Sequence, residues 1–159
     1  MAIHIRSATM QDYPALAAVG RESQELHHQA YPTIFQLDTE GFTPEHVRDL
    51  IEGEHTEVYV AEEDGQILGY AFLLIEQRAS LDLFRSHAVA EITDIAVTAR
   101  MRSRGVGRQL FAAAQTWASE RGAERMELEV WEFNAGARSF YERLGMQTLA
   151  RKMSLNLEQ

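Results

Sequence analysis

Arg100, Arg102, Arg104 and Arg108 crowd into nine residues that also hold Gly105 and Gly107, inside a chain whose formal net charge is -9. This local reversal of sign lies between a strand-like run, Glu91 to Val97, and a helix-like run, Val106 to Arg121. A glycine-rich turn that opens a helix offers unpaired backbone N–H groups and the positive end of the helix dipole. Arginines beside it add forked, charge-assisted hydrogen bonds suited to phosphate oxygens. The chemistry this spacing points to is the grip of a pyrophosphate-bearing ligand.

Other chemistries are excluded by what is missing. The 159 residues include no cysteine, which removes thiolate metal sites, disulfides and a cysteine nucleophile. No Gly-x-Ser-x-Gly elbow is present. The six histidines lack His-Glu-x-x-His spacing, so no metal site is expected. An acidic chain is a poor general partner for nucleic acid and a better one for cationic substrates. The longest nearly apolar run, Ile67 to Ile75, is too short to span a bilayer. The first residues show no basic segment followed by an apolar one, so a cytoplasmic protein is expected.

The elements that must position the turn follow from periodicity. Ile3 and Ile5 alternate with polar residues as a first strand. Thr9 with Asp12, then Pro14, opens a helix that runs to about His28 and stops at Tyr31-Pro32. Thr43-Pro44 opens a second helix. Val58 to Ala61 and Ile67 to Ile75 form a hairpin across Asp64-Gly65. Residues 77–89 show no clear period and read as a loop. Ile92 to Val97 is the next strand, and the helix after the arginine turn puts Val106, Leu110, Ala113, Ala114 and Trp117 on one face. Met126, Leu128 and Val130 alternate with glutamates as another strand. Asn134 caps a helix through Leu144, Gly145 ends it, and Met146 to Leu157 supplies a last strand. This order predicts one α/β domain over residues 1–159, a mixed sheet with helices on its faces.

Two segments together resemble a known family. Glu91-Ile92-Thr93-Asp94-Ile95-Ala96-Val97 leading into Arg102-x-x-Gly105-x-Gly107 resembles the acetyl-CoA motif of the GNAT superfamily of N-acetyltransferases. Asn134 to Met146 is similar to its second motif, Asn-x-x-Ala-x-x-Phe-Tyr-x-x-x-Gly-Phe, with Met146 in place of the aromatic. Ala99 stands where proline is usual and Ser103 where glycine is usual. The element order also matches along nearly the whole chain.

The resemblance implies a mostly antiparallel central sheet with helices on both faces and a splayed strand pair forming the CoA cleft. It implies acetyl-CoA as donor, its pyrophosphate held by Arg102, Ser103, Arg104, Gly105, Val106, Gly107 and Arg108. The backbone of Ile95, Ala96 and Val97 would pair with the pantetheine arm, and Asn134 would touch the cofactor as well as cap its helix. Tyr141 is similar in position to the family's general acid, which protonates the leaving thiolate. Glu91 aligns with a carboxylate that serves some members as general base. Strict alternation puts Asp94 on the opposite face unless a bulge intervenes, which favours Glu91; Glu129 and Glu132 are lesser candidates. Residues 24–35 fall where the family builds its acceptor wall, with Glu22 or Glu25 to attract an ammonium. The acceptor would be an amine of a small molecule or of a peptide or protein, and dimers are common in the family.

Two rival readings remain. A dinucleotide fingerprint fails because Leu110 occupies the third glycine position. A non-catalytic acyl-CoA-binding sensor or interaction domain would keep the cleft without turnover.

Overall fold

The computed structural model describes residues 2–37, 41–79 and 85–157. Five strands form one sheet in the order β1-β2-β3-β4-β5: β1 (His4–Ser7), β2 (Thr56–Glu63), β3 (Gln66–Arg78), β4 (His87–Val97) and β5 (Arg125–Leu128). The first three neighbouring pairs are antiparallel, and β4 and β5 run parallel. The helices are α1 (Tyr13–Ala30), α2 (Pro44–Glu52), α3 (Val106–Glu120) and α4 (Ala135–Arg143). The chain divides into two compact units, Met1–Glu129 and Val130–Gln159.

The local signals worked where a cap or a turn decides. Thr43 accepts the His46 N–H at 3.2 Å, and Pro44 occupies the first helical position. The Asp12 carboxylate accepts the Thr9 N–H at 2.8 Å and a fork from Arg6, which also reaches Glu62. That arginine ties β1 to β2 and to the entry of α1, and holds the Asp12 carboxyl below its ordinary range. In α3 the expected stripe is buried: Val106, Leu110, Ala114 and Trp117 are at most 1% exposed. Phe111 lies beside them, while Ala113 is only half-buried. Across the sheet, α1 and α2 cover Val58, Val60, Tyr70 and Phe72 with Leu16, Val19 and Val47.

Three expectations need correction. Residues 77–89 are not one loop: Gln77 pairs with Ala88 and Arg78 with His87, so the ladder runs on at both ends. The cause is tertiary, because Arg78 reaches Glu127 on β5 at 2.8 Å and Glu76 at 3.1 Å, ion pairs that apolar periodicity does not encode. Val130 lies beyond β5, which ends at Leu128. Met146 to Leu157 forms no strand; from Gln147 onward every described residue is exposed, with Leu149 at 65%, Met153 at 86%, Leu155 at 83% and Leu157 at 82%. Alternation records a preference for one-sided burial, and a strand also needs a hydrogen-bonding neighbour, which the described residues do not give it.

Candidate active site

The arginine turn is built as a cradle of donors. After Val97, a short 3-10 turn (Ala99–Met101) uses the Met101 and Arg102 N–H groups on Thr98 and Ala99. Ser103 then takes φ 64° and Gly105 φ 83°, two left-handed residues that swing the chain into α3. Glycine suits the second position because it carries no Cβ penalty there, and no heavy atom lies within 4 Å of where a Cβ would stand. The next backbone bond is Gln109 N–H to Gly105 C=O. Among the described residues, the N–H groups of Ser103, Arg104, Gly105, Val106, Gly107 and Arg108 thus find no acceptor. Arg102, Arg104 and Arg108 are exposed and make no ion pair with any described residue. Six amides and three guanidinium groups fit a diphosphate, so the predicted pyrophosphate residues stand together.

The strand before the turn is open on one side. β5 pairs with β4 only from Val89↔Arg125 to Ile92↔Leu128, whereas β4 continues to Val97. Thr98 donates its N–H to Leu68 at 2.9 Å, so by alternation the amides of Ala96 and Asp94 face β3. Those of Ile95 and Val97 face the unpaired side, where an extended ligand arm can add like a strand. The Ile95 N–H lies close enough to the Asp94 carboxylate to favour its charged form.

β4 is not a regular strand, and this changes the ranking of its carboxylates. The pairing moves from Leu73↔Ile92 to Phe72↔Asp94, leaving Thr93 as a bulge. Glu91 pairs with Leu74 and Asp94 with Phe72. Leu74 and Phe72 share a face of β3, so Glu91 and Asp94 share the face under α1 and α2. The alternation argument that separated them therefore fails. Glu91 lies where the ladder is closed, opposite Glu127, while Asp94 lies just past its end. Tyr70 donates to Asp94 Oδ2 at 2.9 Å. Burial raises the Asp94 carboxyl above its ordinary range, and the Tyr70 bond, the Ile95 N–H and the nearby His27 and His46 offset part of that rise. Tyr70, nine-tenths or more buried beside this carboxyl, is itself pushed well up, first by desolvation.

Aromatic rings wall this place. Phe42 lies 5.6 Å from Tyr70 and 4.9 Å from Phe72, and His46 lies 6.3 Å from Phe72. Gly20 on α1 makes room for Phe42, whose ring would stand 2.5 Å from a Cβ there. Sequence reasoning missed Tyr70, Phe42 and His46, since none belongs to a motif. The 24–35 segment closes on itself: His28 Nδ1 bonds Phe35 O at 2.7 Å and Gln24 donates to Gln36 O at 3.0 Å. His27 packs against Phe35 at 5.1 Å. Glu22 accepts the Ala99 N–H at 2.9 Å, tying α1 to the exit of β4, and Glu25 is exposed.

The remaining predicted residues lie in the second unit. Asn134 caps α4, its side chain accepting the Ala137 N–H at 3.0 Å. Tyr141 is half-buried on α4 with its ring 5.2 Å from Phe140. Leu144 and Met146 donate to its carbonyl at 3.0 and 3.1 Å. Glu132 is exposed and paired with Arg138 at 3.3 Å, while Glu129 ends the first unit exposed. Among the described residues there is no group of three metal-ligating side chains, and no helix is long and apolar enough to cross a membrane.

Known proteins resemble this chain in sequence and in fold. The model of the Acetyltransferase (GNAT) family matches residues 22–146. The uncharacterized N-acetyltransferase YhfO of Bacillus subtilis is 27% identical over 91% of this chain and 90% of its own. An aminoglycoside N(6')-acetyltransferase type 1 of Salmonella typhimurium is 26% identical over 65% of this chain and 70% of its own. The crystal structure of a BH1408 variant from Bacillus halodurans superposes with a TM-score of 0.95, at 28% identity, over 98% of this chain and 99% of that one.

Proposed function

The chain belongs to the GNAT family of acetyltransferases and is an acetyl-CoA-dependent N-acetyltransferase; on that premise we propose how its residues share the work. Acetyl-CoA, when bound, supplies a thioester carbonyl that an amine can attack directly. The amides of Ser103 to Arg108 and the side chains of Arg102, Arg104 and Arg108 hold its phosphates. The backbone of Ile95, Ala96 and Val97 holds the pantetheine arm, and Asn134 adds a contact beside its capping role. The exposed amide of Val97 faces the same open edge and can polarise a carbonyl placed there. Tyr141 gives a proton to the departing sulfur, and a β4 carboxylate, with Glu91 a member of that face, takes one from the amine. Residues 1–159 act as one catalytic domain in the cytoplasm.

The observation that carries this reading is the run of six unaccepted amides ending an unpaired strand edge. The acceptor we favour is a small, multiply charged amine. Glu91 and Asp94, which make no ion pair with any described residue, put two carboxylates on one face of β4, and the Salmonella relative's name identifies it as acting on an aminoglycoside. The test is thiol release from acetyl-CoA in the presence of spermidine, kanamycin and short peptides. Release with the amines supports enzyme action. Tight CoA binding without release across the set would favour the sensor alternative.

We also propose a homodimer, in which a second copy covers the exposed apolar side chains of residues 149–157. Light scattering should give twice the chain mass, and Met153→Glu with Leu155→Glu should return it to the monomer. A monomeric wild type at tens of micromolar would sink that part.

A further inference from the structure

We propose that Asp94 is the carboxylate that takes the acceptor's proton and that Tyr70 is its positioning residue. This rests on the acetyl-transfer reading and deepens it, because the motifs of the chain assign neither residue.

Geometry carries the assignment. The bulge at Thr93 turns Asp94 onto the face that α1 and α2 cover, and the carboxylate sits immediately past the last β4–β5 pair, Ile92↔Leu128. Its Oδ2 accepts from the Tyr70 phenol at 2.9 Å, and the nearby N–H of Ile95, an amide of the unpaired edge, favours its charge. Asp94 therefore stands just past the end of the β4–β5 pairing, on the unpaired stretch of β4. Glu91 stands within the closed ladder, opposite Glu127, which Arg78 and Arg125 already engage. No ion pair reaches Asp94 from any described residue, although it is largely desolvated among Phe72, Tyr70 and Phe42. A carboxylate held this way, yet half-buried rather than sealed, is a ready partner for an ammonium that arrives from solvent.

The proton account balances. Asp94 takes one proton as an ammonium N–H bond breaks, freeing the lone pair that forms the N–C bond while the thioester C–S bond breaks. Tyr141 gives a proton to sulfur and regains through solvent the one lost by the new amide nitrogen. Asp94 passes its own to solvent, so one proton is released per turnover. Tyr70 acts through Asp94: its hydrogen bond favours the charged carboxylate and fixes which oxygen faces the open edge. The titratable groups around Asp94 are Tyr70 on β3, His27 on α1, His46 on α2 and Glu91 on its own strand.

The sign of the pH dependence follows. Activity needs the carboxylate, so it falls as pH drops through the raised Asp94 pKa. Tyr70→Phe removes a bond that lowers this pKa, so the acid limb of kcat/KM must move to higher pH. A carboxyl whose folded pKa is raised costs stability as pH rises from its unfolded to its folded pKa, and the full cost is present above the latter. Asp94→Asn keeps an acceptor for Tyr70 without the charge. It should therefore raise Tm by a few degrees at pH 7.5, with a gain that shrinks toward acid.

The experiment combines carboxyl 13C NMR titration with pH–rate profiles, using spermidine and kanamycin as acceptor probes. Expected are an Asp94 midpoint above the ordinary value of about 3.9, a further rise in Tyr70→Phe, and a kcat loss of about 10²-fold or more in Asp94→Asn. CoA affinity by calorimetry should stay within about twofold in that variant, since no phosphate contact is touched. The acid limb should vanish in Asp94→Asn and persist in Glu91→Gln. An acid limb retained in Asp94→Asn, or an ordinary Asp94 midpoint, overturns the proposal. If wild type acetylates neither probe, the amine choice above has failed, and the NMR midpoint still decides whether Asp94 can serve.

Discussion

Replacing Tyr141 by phenylalanine is expected to lower kcat by about 10²-fold or more, the scale of a lost general acid, while CoA affinity changes little. A phenol has a pKa of about 10, well matched to a thiolate leaving group. Removing it leaves the sulfur to depart as an anion or to find a proton in water. Phenylalanine keeps the ring that stands 5.2 Å from Phe140, and the backbone bonds at the Tyr141 carbonyl do not involve the hydroxyl. Helix α4 should therefore persist, and circular dichroism should match wild type. Single-turnover thiol release gives the answer. Unchanged turnover in Tyr141→Phe removes the acid role.

The second large effect concerns the arginine turn. Arg102→Ala with Arg104→Ala should weaken CoA by about 10²-fold. Charge-assisted hydrogen bonds contribute about 1.5–3 kcal/mol each, and the exposure of both side chains puts them near or below the low end. The loss should shrink as salt is raised, because exposed charges are screened within about 10 Å at 0.1 M. Pantetheine, which lacks the phosphates, should bind the variant and wild type alike. An equal loss for pantetheine would mean that the turn itself had collapsed.

How much of this was legible in the chain depends on the range of the interaction. Thr43-Pro44, Asn134 and Gly105 announce caps and a turn whose partners lie within four residues, and they appear where the sequence puts them. The arginine turn, as a turn, is legible for the same reason. The Thr93 bulge is not, since it exists only in the register between β3 and β4, twenty residues apart in sequence. Without that register, Asp94 reads as facing away from Glu91, and the Tyr70–Asp94 bond has no signal at all. The tail from Leu149 to Leu157 shows the converse failure, because its pattern asks for a neighbour without saying which. The far end of the β3–β4 ladder was hidden by polar residues, among them Arg78, whose ion pair with Glu127 reaches across to β5.

β3 and β4 approach one another closely at Gly69. At Gly69 a Cβ would stand 2.6 Å from the Ala96 carbonyl oxygen and 3.2 Å from Val97 Cα, both backbone atoms that cannot swing aside. Even a methyl group there must push β4 away from β3, at the stretch whose outer edge is proposed to meet the donor. A side chain at residue 69 would thus act directly on the backbone of Ala96 and Val97, the stretch proposed to hold the pantetheine arm, from the opposite side of β4.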